Sequence, residues 1–330
     1  MGNSKKTNCV KPIFTKNASS SLKGFAIIMV ILSHYAEWWS WFYPTEGLSA
    51  DIRMFCSLLG DYGVAIFFMV SGYGMVKSAG KNRIGWKFVS RRLQNVYIPY
   101  LAIALIIQLL AGTFDLINLL TGDDFWFMTV IFMLYIAFMF VWAAAKNPHI
   151  RVLLFTAACA GITQYLYLDG NQVFWYNAVF TFALGTILGT YEKWIAKAYR
   201  FISIPGAVLC SVGMFFVAKY GLRPELQNFA KPEEAIYCQT GCLLLFALLI
   251  SFISYLWKYF DPVSGYLGQM SMYLYLTHTY IFMQTINHPG INGNFKLGFV
   301  LATIISLIVS AICYLIFNVL IPFLLKKFRA

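Results

Sequence analysis

Charge is what this chain has least of. Asp, Glu, Lys and Arg make up 12% of its 330 residues while 60% are apolar, a balance that excludes a water-facing globule and fits a protein dissolved in a bilayer. Metal-ligand spacing is missing too. The seven cysteines lie mostly in apolar runs (Cys159, Cys210, Cys242 and Cys313), and the close pair Cys238 and Cys242 has no His or carboxylate beside it. The thiols therefore read as small hydrophobes and no metal is expected. There is no fixed-length repeat and no low-complexity tract. The first 21 residues lack the apolar core and small-residue cleavage site of a secretory signal. The expectation is a basic cytoplasmic segment, 1–21, ahead of one transmembrane domain, 22–330. The myristoylation pattern that begins at Gly2 fails at Lys6, where Ser or Thr is needed.

What is present is a series of apolar stretches of about twenty residues, the length that crosses a hydrocarbon core. They fall near 24–42, 58–78, 95–112, 125–145, 150–168, 173–190, 201–219, 236–257, 264–286 and 297–323. This predicts an all-α integral membrane protein, a bundle of about ten transmembrane helices around a central cavity. With the N-terminus inside, alternate connections put 20 of the 25 basic residues on the inner side and leave five outside: Arg53, Lys219, Arg223, Lys231 and Lys296. Of the 13 acids only Glu192 and Asp261 fall inside. A wrong helix count would scramble this bias, so both termini are expected in the cytoplasm. The net charge of +12 then reads as topology plus attraction to anionic lipid. No Arg–aromatic platform suggests nucleic acid, and nothing sets an oligomeric state.

Ionisable groups at membrane depth are expensive and usually functional. His34 lies about ten residues into the first span, roughly 15 Å deep. Lys23, eleven residues earlier, shares its helix face about 16 Å away, so both can line one cavity. Glu37 follows His34 by three residues, a spacing from which a carboxylate can fix the ring tautomer and leave the other nitrogen as a general base. The competing reading is a histidine that packs the bundle beside an interfacial Glu37. The second span holds Ser71-Gly72-Tyr73, which serves either helix packing or substrate contact, and Asp61, placed to meet an acceptor hydroxyl or simply water. Six cations between Lys77 and Arg92 suit either a positive-inside loop or a phosphate ligand. In the ninth span, Tyr275 and His278 either line the same cavity or brace it.

These pieces occur together. Leu22-Lys23-Gly24-Phe25-Ala26 through Ser33-His34, Phe67-Phe68-Met69-Val70-Ser71-Gly72, Ser90-Arg91-Arg92-Leu93 leading to Tyr97-Ile98-Pro99-Tyr100, and Tyr273-Leu274-Tyr275-Leu276-Thr277-His278 resemble, in order and spacing, the acyltransferase family 3 membrane proteins. That family includes O-acetyltransferases of surface polysaccharides and the fucose 4-O-acetylase-like group. The similarity runs from Lys23 to the last helix. Two positions depart from the pattern: Lys23 stands where Arg is usual, and a common Arg-x-x-Arg is reduced to Arg91-Arg92.

The resemblance implies transfer of an acyl group, usually acetyl, from cytoplasmic acetyl-CoA to a sugar hydroxyl of a surface or secreted glycan, or of a lipid-linked sugar. Acetyl-CoA is then a co-substrate, with no bound cofactor. His34 is implied as catalytic, either as base or as transient acyl carrier, and Lys23, Arg91, Arg92 and Ser71 as donor contacts. Tyr73, Asp61, Tyr275 and His278 are left to the acceptor side or the cavity wall. A rival from another class is an exporter of glycan or lipid intermediates with His34 as proton relay, but paired half-repeats and broken helices are not visible.

Overall fold

A computed structural model describes residues 12–42, 48–80, 84–221, 232–256, 262–291 and 294–327. Among these, 89% of residues are helical and none is in a strand. In chain order the helices are α1 (Lys16–Phe42), α2 (Leu48–Ala79), α3 (Trp86–Arg92), α4 (Ile98–Ala111), α5 (Leu116–Thr121), α6 (Trp126–Ala144), α7 (Pro148–Leu168), α8 (Val179–Thr190), α9 (Glu192–Gly221), α10 (Pro232–Leu256), α11 (Pro262–Ile286), α12 (Phe295–Leu315) and α13 (Ile321–Lys327). Lys81, Arg83, Arg223, Lys231, Lys258, Asp261, Arg329 and the segment before Pro12 lie outside the described residues.

Two of the joins are π-helical, Leu93–Tyr97 between α3 and α4 and Ile316–Leu320 between α12 and α13. Each ends two residues before a proline, Pro99 or Pro322. A proline removes one N–H from the helical ladder, and the wider π turn absorbs the break without ending the span.

Nine helical stretches among the described residues are long and apolar enough to cross a membrane, and they match nine of the ten spans expected from sequence. The remaining span is α11, which is more polar and is largely enclosed by other helices. It packs against α1, α12 and α4, and buries Ser264, Gly268, Ser271, Tyr273, Thr277 and His278. A helix jacketed by other helices can carry hydroxyls and imidazole at membrane depth, provided that the bundle satisfies them.

Glycines set the spacing of this central layer. A Cβ on Gly24 would overlap the Ser264 carbonyl, and one on Gly268 would overlap the Ser20 carbonyl. The backbones of α1 and α11 therefore touch near their N-terminal ends. Gly72 and Gly185 do the same for α2 and α8, against the Phe182 and Met69 carbonyls. These pairings also fix direction. Contacts of Gly24 and Gly268 at one level and of His34 with His278 further along make α1 and α11 parallel, as the first and ninth spans must be. Gly60 meets Ser33 while Gly63 meets Ala26, so α1 and α2 run antiparallel.

Before α1, Ile13 and Phe14 are buried against Tyr73 and the C-terminal ends of α2 and α8. Ile13 N–H donates to Glu192 Oε1 at 3.2 Å, and Glu192 also accepts from Tyr73 and pairs with Lys77. Glu192 and Lys77 thus share one side of the bundle, as the charge pattern requires.

Replacing Gly268 with Val should force α1 and α11 apart and cost roughly 1–3 kcal/mol or more, read as a lower midpoint of unfolding in detergent. Gly161, beside which a Cβ would meet no neighbour, should accept Ala within about 0.5 kcal/mol.

Candidate active site

The two intramembrane histidines meet. His34 Nδ1 lies 2.7 Å from His278 Nε2, with ring planes 4° apart. His278 is 1% exposed, and its Nδ1 sits 2.9 Å from the carbonyl oxygens of both Leu274 and Tyr275. Carbonyls only accept, so His278 Nδ1 carries the proton and, in the neutral ring, Nε2 presents a lone pair. His34 Nδ1–H must then be the donor across the 2.7 Å contact. That leaves the Nε2 lone pair of His34 bare, and among the described residues no group occupies it. Thr279 Oγ1, 3.3 Å from His278 Nε2, can add a second weak donor. The result is a half-buried ring held in one tautomer with its basic nitrogen unengaged.

Aromatic packing holds this pair. Trp38 stacks on His34 at 5.6 Å between centroids and on Phe282 at 4.2 Å, covering the pair on the side away from Lys23. Tyr275 lies below, its hydroxyl accepting from Phe127 N–H at 3.3 Å. Phe127 packs against Phe67, Phe68 and Tyr275. The Phe-Phe motif of α2 and the Tyr-x-x-His end of α11 therefore converge on one ring of α6.

The other residues suggested by sequence are distributed along the bundle. Glu37 is exposed one turn beyond His34, and the His34 nitrogen that its spacing could address is taken by His278. Lys23 and Arg92 are half-buried and close enough for their charges to repel. Arg92 lies over the rings of Phe88 and Tyr135, its Nε is buried without a partner, and neither cation meets a carboxylate among the described residues. Arg91 is exposed. Ser71 is half-buried, and the antiparallel crossing of α1 and α2 puts it in the same half of the bundle as Lys23. Tyr73 is committed to Glu192. Twelve residues away along α2, about 18 Å, Asp61 accepts from Asn177 Nδ2 at 2.9 Å.

Sequence reasoning did not single out the cluster around Glu192, although an acid on an otherwise cationic side was a visible signal. Beside it opens a cavity of about 500 Å³ lined by Lys77, Lys146, Arg151 and Lys193. These four are brought together from α2, the α6–α7 connection, α7 and α9, and no local spacing reports it. Arg151 is anchored by the Ala145 and Trp142 carbonyls at 2.8 and 3.1 Å.

A family model described as an acyltransferase domain, that of acyltransferase family 3, matches residues 18–325. No curated protein and no solved structure matches the chain significantly.

The tautomer assignment is open to direct measurement. Nitrogen-15 NMR of histidine-labelled protein, with the His34→Ala variant identifying the signal, should show His34 Nδ1 protonated and Nε2 unprotonated at neutral pH. The reverse pattern would contradict the hydrogen-bond chain.

Proposed function

Because the chain belongs to acyltransferase family 3 and is a membrane acyltransferase, we propose that it moves acetyl from cytoplasmic acetyl-CoA to a sugar hydroxyl of a surface or secreted polysaccharide. The observation that carries this reading is the imidazole of His34, held through Nδ1 by His278 with Nε2 unengaged. In this reading the protein lies in the cytoplasmic membrane with both termini inside, and the histidine pair stands between donor and acceptor.

The chemistry follows from the tautomer. His34 Nε2 removes the proton of the sugar hydroxyl as its oxygen attacks the thioester carbonyl. The tetrahedral intermediate collapses by breaking the C–S bond, and the proton passes from His34 to the departing CoA sulfur. The products are an O-acetyl sugar and CoA thiol, with His34 returned to its starting form. His278 acts through His34 as a positioning residue: its Nε2 steadies the positive charge that His34 gains, and its own Nδ1–H is held by the two carbonyls.

Lys23 and Arg92 are the donor's anion contacts in this scheme. Two cations with no carboxylate partner among the described residues, set at membrane depth, are costly unless an anion enters, and Arg presents phosphate with a planar fork. Ser71 lies at the same depth, and the cationic cavity around Lys146 and Lys193 adds an attractive field at the inner face. The family match favours this enzyme over the exporter, for which paired half-repeats are the usual mark.

In vesicles supplied with labelled acetyl-CoA and glycan, folded His34→Ala should lose about 10²- to 10⁴-fold in transfer rate, the usual yield of a general base. Undiminished transfer would remove His34 from the chemistry. Without acceptor, no label should remain on the protein, and stable labelling of His34 would replace the direct route with an acyl-enzyme. Changing Lys23 and Arg92 together to Gln should raise the KM for acetyl-CoA about tenfold or more, the loss of one charge-assisted hydrogen bond, while leaving that for glycan unchanged. Equal rises in both would place the donor elsewhere.

A further inference from the structure

At the end of the bundle away from Lys77 and Glu192, α1, α2 and α12 leave a groove of about 480 Å³ between them. Its walls are apolar and aromatic, with Leu32, Tyr35, Trp39, Ile52, Phe299 and Val300 facing in. Its rim carries Arg53 and Lys296. These are two of only five basic residues that the charge pattern leaves on the outer side. They come from α2 and α12, far apart in sequence, yet border the same opening.

No carboxylate lines this groove among the described residues. The Nε of Arg53 is buried and has no hydrogen-bond partner. That nitrogen forfeits hydration without recovering a bond while the half-exposed remainder of the guanidinium faces the rim, an arrangement that an anion at the groove's mouth would stabilise. The apolar walls exclude a freely hydrated ion as the main occupant. Charge at the rim and hydrocarbon below together match an amphiphile whose anionic group sits at the headgroup level and whose chain runs along the protein.

We propose that this groove is a binding site for an anionic phospholipid of the outer leaflet, its phosphate held between Arg53 and Lys296 and an acyl chain laid against Tyr35, Trp39 and Phe299. The site is joined to the histidine pair by packing. Tyr35, which forms part of the wall, meets Trp38 at 5.6 Å and Phe299 at 3.8 Å, and Trp38 is the ring stacked on His34. A seated lipid therefore supports the aromatic shelf over the imidazole. The assignment rests on the outer placement of Arg53 and Lys296 and is independent of the acyl-transfer reading.

The test is native mass spectrometry of the purified full chain titrated with phosphatidylglycerol or with phosphatidylcholine, alongside thermal stability in the same lipids. Wild type should retain one phosphatidylglycerol about tenfold more tightly than phosphatidylcholine and gain stability from it. Arg53→Gln with Lys296→Gln should lose that preference and that gain. Lys296→Gln alone changes an exposed residue, so it keeps the fold and should weaken the preference partway. Equal retention of the two lipids by wild type would overturn the proposal, as would an unchanged preference in the double variant. Displacement of the lipid by millimolar inorganic phosphate would do so as well, since it would make the site one for a free anion.

Discussion

Two imidazoles held 2.7 Å apart by parallel helices constrain the rest of this molecule. The contact works only if α11 presents a histidine whose own Nδ1–H is already committed, and the Leu274 and Tyr275 carbonyls supply that commitment one turn back along the helix. It works only if α1 and α11 lie close enough for two short rings to meet, which the Gly24 and Gly268 contacts make possible. And it needs a site shielded from lipid, because an unsatisfied ring nitrogen in hydrocarbon is costly. The aromatic shelf of Trp38 and Phe282 and the position of α11 within the bundle provide that shielding.

Much of this was legible from the sequence. Apolar length gave the ten spans, and the Lys and Arg bias gave their alternation, which the parallel pairing of α1 with α11 and the Lys77–Glu192 bridge independently support. His34 and His278 both stood out as rare groups at depth. What spacing could not give was their mutual contact. Glu37 was the nearer candidate by sequence because it shares a helix with His34, whereas His278 is brought in by the packing of a distant span. A helix face is a local property, but the partner of that face is tertiary.

The same distinction explains the half-buried cations. Lys23 and Arg92 were visible as basic positions, but their closeness depends on α1 and the end of α3 meeting in space. Arg91, adjacent in sequence, is exposed. Tyr73 shows the converse: it shares a helix and a motif with Ser71, yet its hydroxyl is used by Glu192 to fasten the chain before α1. The span 264–286 was expected, but that α11 is largely enclosed by other helices, with its hydroxyls and imidazole buried, is decided by its neighbours.

One half of the bundle carries the cations Lys23 and Arg92, the other is closed by the rings of Trp38 and Phe282, and the histidine pair stands between them. The central claim is that His278 acts on the reaction only through His34. A double-mutant cycle on acetyl transfer measures this directly. With His34 present, removing His278 should slow turnover substantially, by up to about 10⁴-fold where a base is left in the wrong tautomer; with His34 already Ala, the same removal should change the residual rate little. Additive losses across the cycle would show that the two histidines act separately, and would contradict the account.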